Sequence, residues 1–76
     1  MARDKRQRFL ALAESRTQHV LEDLRLVANL ANKRNYDYTD GEARQIFRAI
    51  EKEMEAARTK FADASRDQRK HFRLNT

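Results

Sequence analysis

The helical pattern of this sequence breaks once, at Asn35-Tyr36-Asp37-Tyr38-Thr39-Asp40-Gly41-Glu42. Thr39 and Glu42 have the spacing of a capping box. In that motif the threonine side chain accepts from the N–H three residues on, and the glutamate carboxylate reaches back to the threonine N–H. Asp40 and Glu42 also place negative charge at the positive end of the helix that follows. The sequence therefore predicts that a second helix begins at about Asp40.

The residues before this break are typical of a helix C-terminus. Lys33 and Arg34 place positive charge where the helix dipole is negative, and Asn35 tolerates the left-handed conformation that often ends a helix. We therefore expect a first helix over about residues 4–34 and a turn over about residues 35–39. The second helix should extend from about residue 40 to about residue 65 or beyond, followed by a basic C-terminal tail.

The composition favours long helices in one small domain. Of the 76 residues, 38% are charged, none is proline and one is glycine, which is typical of long helices and coiled coils. Without cysteine there is no disulfide, thiolate metal site or cysteine nucleophile, and we expect a cytoplasmic protein. No apolar run approaches the roughly 20 residues that span a bilayer. The run at residues 9–13 is too short for a signal peptide, so we expect no membrane segment.

Apolar residues recur at alternating spacings of three and four along both helices, which predicts the seam of a coiled coil or bundle. The large seam residues are Leu10, Val20, Leu24 and Val27, then Phe47, Ile50, Met54 and Phe61. The smaller ones are Ala13, Thr17 and Ala31, then Ala43, Ala57 and Ala64. In the first helix Leu21 and Ala28 widen the stripe on one side. Phe9 and Leu30 widen it on the other side, and this breadth suits a helix with two neighbours.

These patterns predict an all-α fold in a single domain, residues 1–76. We expect an antiparallel two-helix hairpin that resembles a coiled coil. The large seam residues are too few to offset the conformational entropy that a lone hairpin loses on folding. A second copy would cover both stripes in a four-helix bundle. We therefore expect a homodimer.

No arrangement of residues typical of an enzyme is visible. A single glycine excludes the usual glycine-rich phosphate loops, and we expect no enzymatic activity and no cofactor. His19-x-x-Glu22-Asp23 could start a metal site. Di-metal bundles need Glu-x-x-His on two helices, however, whereas this reversed order occurs once. We therefore interpret His19 as a surface residue and expect no metal.

Two aromatic residues, Tyr36 and Tyr38, bracket the turn. One interpretation is that they fold over the end of the bundle and keep their hydroxyl groups in water. The other is that they contact a partner or an unstacked base. We favour the first, because the end of a two-helix hairpin needs an apolar cover.

Positive charge is concentrated at the two ends of the chain. Residues 1–8 carry a net charge of +3 and residues 58–73 carry +4, while the residues between them carry −2. An antiparallel hairpin would bring both ends to one basic pole. Its residues are Arg3, Lys5, Arg6, Arg8, Arg66, Arg69, Lys70 and Arg73. These cations could neutralise phosphates without reading base sequence. The alternative is that they form the solvated surface of a small basic protein.

One block of the sequence carries a resemblance. Asn29-Leu30-Ala31-Asn32-Lys33-Arg34-Asn35-Tyr36-Asp37-Tyr38-Thr39, followed by Ile46-Phe47-Arg48-Ala49-Ile50-Glu51, resembles a group of small bacterial helical proteins of unknown function. The similarity extends over about residues 9–61. It names no activity and transfers no catalytic or binding residue. In architecture alone, the hairpin is similar to the Rop-type RNA-binding plasmid regulator, which dimerises into a four-helix bundle.

These observations together predict a non-enzymatic helical module for protein–protein interaction, with self-association as its first contact. The alternative is a small basic regulator that binds nucleic acid through the basic pole. A membrane-binding amphipathic helix is disfavoured, because the apolar stripes are needed for the bundle.

Overall fold

A computed structural model of the chain describes the backbone of residues 2–74 and the side chains of residues 4–66. Over these residues there are two helices and no strand: α1, Ala2–Asn29, and α2, Asp40–Leu74. The 28 residues of α1 and the 35 of α2 correspond to lengths of about 42 and 52 Å. The chain divides into two units, Met1–Asp37 and Tyr38–Thr76. The predicted all-helical class is confirmed.

The first helix ends at Asn29, whereas the sequence predicted an end near residue 34. The N–H of Leu30 donates to the carbonyl oxygen of Val27 at 3.0 Å. The N–H of Ala31 donates in the same way to Ala28 at 3.1 Å. Both bonds span three residues instead of four, which is the tightening that commonly closes an α-helix.

A turn built on Asn32 follows and keeps the chain from continuing as a helix. The Asn32 Oδ1 accepts from the N–H of Arg34 at 3.0 Å. Its carbonyl oxygen accepts from the N–H groups of Asn35 and Tyr36 at 3.1 and 3.0 Å. An asparagine side chain that bonds nearby backbone offers an alternative to the helical ladder. No described residue has a positive φ, so Asn35 does not adopt the left-handed conformation that the sequence suggested.

The second helix begins with a capping box made by Thr39 and Glu42. The N–H of Thr39 donates to the Glu42 Oε1 at 2.9 Å, and the N–H of Glu42 donates to the Thr39 Oγ1 at 3.1 Å. The Thr39 carbonyl oxygen then accepts from the N–H of Ala43 at 3.1 Å, which is the first bond of the helical ladder. Asp40 and Glu42 add negative charge to the first turn, where the helix dipole favours it.

Near its C-terminus, α2 includes a stretch with no apolar periodicity that would predict a helix. No apolar residue occurs between Ala64 and Phe72, yet the helix extends to Leu74. The reason is the absence of any glycine or proline after Gly41, since those are the residues that disfavour a helix most strongly. The basic tail predicted from about residue 65 is therefore helical through Leu74.

No side chain within residues 4–66 is buried. The large apolar residues that are exposed range from 39% exposed at Leu24 to 68% at Phe61, while Val27 and Ile50 are half-buried. Each helix therefore carries its seam as an exposed apolar stripe. Over the described residues, neither helix has a stretch long and apolar enough to cross a membrane.

The capping box makes a direct prediction about stability. Changing Thr39 to alanine removes the acceptor of the Glu42 N–H, and should lower the free energy of unfolding by about 0.5–2 kcal/mol. The control is Asp37→Ala, which lies outside the box and should change stability far less. Chemical denaturation followed by circular dichroism at one protein concentration measures both. Equal effects of the two changes would contradict the role of the box.

The only glycine in the sequence offers a test in which a substitution should raise the stability of the protein. Gly41 lies in the first turn of α2 and has no positive φ. A Cβ there would lie 3.8 Å from the Thr39 Oγ1 and 3.9 Å from the Arg44 Nη2, which is ordinary contact. Gly41→Ala should therefore stabilise the protein by about 0.4–1 kcal/mol, because it restricts the unfolded chain without straining the helix. A lower melting temperature would contradict this reading.

Candidate functional site

The seam gives each helix a heptad register, in which positions a and d carry the apolar residues. In α1 these positions are Leu10, Ala13, Thr17, Val20, Leu24 and Val27. In α2 they are Ala43, Phe47, Ile50, Met54, Ala57, Phe61 and Ala64. Because both helices are continuous over these residues, the seam keeps to one side of each helix throughout its length.

The seam is an apolar surface that extends along each described helix. Val20 is 63% exposed and Phe61 is 68% exposed, although both lie at positions that a coiled coil buries. Soluble proteins rarely leave contiguous apolar patches uncovered, and such patches mark interaction sites. The seam residues predicted from the sequence therefore form the candidate interaction surface on each helix.

Each seam has two sides that differ in chemistry. The e side follows position d, and it consists of Glu14, Leu21 and Ala28 in α1 and of Arg44, Glu51 and Arg58 in α2. The g side precedes position a, and it consists of Phe9, Arg16, Asp23 and Leu30 along α1 and of Ile46, Glu53 and Lys60 in α2. Leu30 directly follows the last residue of α1. All of these side chains are exposed.

The polar contacts made within each helix lie away from the g side. Arg58 pairs with Glu55 at 2.5 Å, and Arg66 pairs with Asp63 at 3.4 Å. The other side-chain contacts within the described helices use the outer face or the e side, except that Arg58 also donates to the Sδ of the seam residue Met54 at 3.7 Å. Among the side chains of residues 4–66, none at a g position takes part in an ion pair or a hydrogen bond.

The sequence explains why the g-side charges have no local partner. Ion pairs on one helix form between residues three or four apart. Around Glu53 those positions hold Ala49, Ile50, Ala56 and Ala57. Arg16 has no acidic residue at these separations, and Asp23 has only His19, with which it forms no ion pair. Lys60 has Asp63 within reach in sequence, but the Asp63 carboxylate pairs with Arg66.

A shallow depression lies along the e side at the start of α2. It is lined by Ala43, Arg44, Phe47, Arg48 and Glu51, has a volume of about 340 Å³ and is open to solvent. All of its walls belong to one helix, so it resembles the groove between side-chain ridges of a helix surface. Its shape suits a side chain of a neighbouring helix better than an enclosed small molecule.

The described acidic residues and His19 bear on the possibility of a metal site. Over the described residues, no group of three or more His, Asp or Glu side chains is arranged to hold a metal ion. This includes His19 with Glu22 and Asp23. Of the two tyrosines at the turn, Tyr36 is 48% exposed and Tyr38 is half-buried.

The structure describes part of the basic pole. Lys5, Arg6 and Arg8 are exposed near the beginning of α1, and Arg66 is exposed on α2. The side chains of the other members lie outside the described residues; these are Arg3, Arg69, Lys70 and Arg73. The described cations are thus available to solvent and to an anionic partner.

The charged g-side residues are the part of the surface that the sequence prediction did not include. Arg16, Asp23, Glu53 and Lys60 belong neither to the predicted seam nor to the predicted basic pole. The signal for them is present in the sequence, because labelling each residue by its heptad position places all four on the same side of the seam.

No protein family, curated protein or solved structure matches this chain. The resemblance to small bacterial helical proteins therefore stays a prediction.

Proposed function

We propose that this chain is a non-enzymatic helical module that acts through protein–protein contacts, and that its first partner is a second copy of itself. The observation that carries the proposal is the exposed apolar seam on each of two long helices. Helices in proteins are stabilised mainly by packing such a face against another surface. The seams therefore need a cover, and the two helices with a second copy supply it.

In the proposed fold, α1 and α2 pack antiparallel, with Leu24 level with Ile50 and Val27 level with Phe47. This register gives each seam residue of α2 a predicted seam residue of the first half of the chain, although Ala31, the partner of Ala43, lies beyond the end of α1. The remaining pairs are Leu10 with Ala64, Ala13 with Phe61, Thr17 with Ala57, Val20 with Met54 and Ala31 with Ala43. Large residues meet small ones at one end, and this favours close packing.

Charge favours the e sides as the surfaces that meet within the hairpin. Glu14 then lies beside Arg58, and opposite charges attract there. Leu21 and Ala28 lie on the same side of α1. They would face the start of α2, where the open depression provides room for an apolar side chain.

Packing through the g sides of the same hairpin would have the opposite effect. Asp23 would lie beside Glu53, and Arg16 beside Lys60, so that both pairs would repel. In the proposed hairpin the g sides therefore face outward. They lie next to a seam that the hairpin covers only in part. A second copy completes the cover as a four-helix bundle, and this is the homodimer that we propose.

Self-association predicts that stability depends on protein concentration. The melting temperature should rise as the concentration rises, because the dimer is favoured over its unfolded chains by mass action. Ile50→Asp or Leu24→Asp would place a charge in the seam and should destabilise the dimer by more than about 2 kcal/mol. Thermal melts at several concentrations, with sedimentation velocity, measure both effects.

Ala49→Asp is the matched control, because residue 49 is exposed and lies beside the seam position on the outer face. It should leave the assembly intact. A compact monomer whose melting temperature is independent of concentration would refute self-association.

The second candidate function is nucleic-acid binding, and the start of α1 favours it. Lys5 and Arg6 lie near the positive end of the helix dipole, where cations are unfavourable. Helix stability therefore does not explain them, whereas contact with phosphates would. The cations near the end of α2, such as Arg66, suit a helix C-terminus without any ligand.

Salt dependence tests this candidate. If the basic pole binds phosphates, the logarithm of the affinity for mixed-sequence DNA or RNA should fall linearly with the logarithm of the salt concentration. Changing Lys5, Arg6 and Arg8 together to glutamine should reduce the slope by about 2–3, at roughly 0.7–0.9 for each phosphate lost.

The matched triple change is Arg66, Arg69 and Lys70 to glutamine, which removes three cations from the other helix. Both triples should flatten the slope if the two segments form one pole. Absence of binding at low salt, or binding that neither triple weakens, would leave protein contact as the function. Fluorescence anisotropy measures the affinities, and circular dichroism confirms that the variants fold.

A further inference from the structure

We infer that the two copies pack with their turns at opposite ends of the bundle. The g side of each helix then contacts the g side of the same helix in the other copy. Arg16 then pairs with Asp23 of the second copy, and Glu53 pairs with Lys60 of the second copy. This inference rests on the self-association proposed above, and it adds the orientation and the register of the dimer.

The g side of α1 is complementary to itself when two copies run antiparallel. Arg16 faces Asp23 of the second copy, and the two-fold symmetry repeats the pair. The same register brings Phe9 of each copy against Leu30 of the other, so that apolar pairs flank the charged ones. Sliding the helices by one heptad would oppose Arg16 to Arg16 or Asp23 to Asp23. One register is therefore favoured and both of its neighbours are repulsive.

The g side of α2 has the same property. Glu53 faces Lys60 of the second copy, and the symmetric pair forms again. A slide of one heptad would oppose Glu53 to Glu53 or Lys60 to Lys60. All four g-side charges are exposed and unpaired within residues 4–66. They can therefore pair across copies without giving up a contact within the chain.

The three registers agree with one another, although each was chosen from different residues. In the register that pairs Arg16 with Asp23, the seam residue Leu24 lies level with Ala13 of the second copy, so the two-fold axis lies at the level between Gln18 and His19. In the register that pairs Glu53 with Lys60, Ile50 lies level with Phe61 of the second copy, so the axis lies at the level between Glu55 and Ala56. In the hairpin register chosen from the seam, His19 is level with Glu55 and Gln18 with Ala56. A single two-fold axis therefore serves both pairs of helices, as a symmetric dimer requires.

Two core layers of this arrangement balance large and small seam residues. One core layer would combine Leu24 and Ile50 of one copy with Ala13 and Phe61 of the other. A second layer would combine Leu10 and Ala64 with Val27 and Phe47 of the other copy. Each layer contains one alanine and one phenylalanine, so the large and small side chains compensate within it.

The other way to pair two hairpins places both turns at the same end. In that arrangement the g side of α1 meets the g side of α2 of the second copy. Arg16 would face Lys60 and Asp23 would face Glu53, so every charged pair would repel. The charges therefore distinguish the two topologies of a hairpin dimer and favour turns at opposite ends.

A charge-reversal experiment tests the inference on the full chain. Glu53→Lys alone places two lysines against each other in both symmetric contacts, and Lys60→Glu alone places two glutamates there. Each variant should dimerise about tenfold more weakly than the original chain. An equimolar mixture of the two should form heterodimers, because both contacts then join opposite charges. Their affinity should return to within about threefold of the original.

Two controls support the measurement, which is made by sedimentation equilibrium and by energy transfer between labelled variants. Lys52→Glu makes the same charge change on the outer face of α2 and should leave dimerisation unchanged. The pair Arg16→Asp and Asp23→Arg repeats the test on α1, with weak association alone and recovery when the two are mixed. Circular dichroism of the mixtures reports that the helices are formed.

The outcomes separate the inference from the function on which it rests. If the original chain is monomeric at all concentrations, both are overturned. If it dimerises but the mixtures associate no better than the single variants, self-association stands and the proposed register is overturned. If Glu53→Lys alone strengthens the dimer, the new lysine is meeting Asp23, and the topology with both turns at one end replaces the one inferred here.

Discussion

An amphipathic helix cannot cover its own apolar face, and this constraint governs the whole molecule. Both α1 and α2 have an exposed seam. Each helix therefore needs a neighbour, so that burial of its apolar face can offset the conformational entropy that it loses on folding. The turn on Asn32 and the capping box of Thr39 and Glu42 divide the helical pattern in two. Without that division the pattern would continue as one long helix.

The parts of the fold that follow from local chemistry could be predicted from the sequence. The spacing of Thr39 and Glu42 was sufficient to identify the cap, because both of its hydrogen bonds lie within four consecutive residues. The end of α1 was harder to place, because the Asn32 side chain competes with the helix through contacts that no apolar period records. The last turns of α2 gave no apolar signal at all, and only the absence of helix breakers accounts for them.

The candidate interaction surface follows from the sequence only in part. Apolar periodicity identifies the seam, since burial depends on one repeated position. It says nothing of the g side, where the information lies in which charges oppose each other across two chains. The charges of Arg16 and Asp23 indicate a dimer arrangement only when they are considered as a pair at a given register. The same is true of Glu53 and Lys60. In the proposed dimer such charges would add little affinity, but they would penalise the neighbouring alignments and so contribute specificity.

The proposed dimer bears on the second candidate function as well. With the turns at opposite ends, each end of the bundle would combine the termini of one copy with the turn of the other. Tyr36 and Tyr38 of one copy would then lie near Lys5 and Arg6 of its partner. Aromatic rings beside cations form the combination that binds single-stranded nucleic acid, through base stacking and phosphate contact. Self-association and nucleic-acid binding are therefore compatible, because the proposed dimer would place aromatic rings beside the cations of the basic pole.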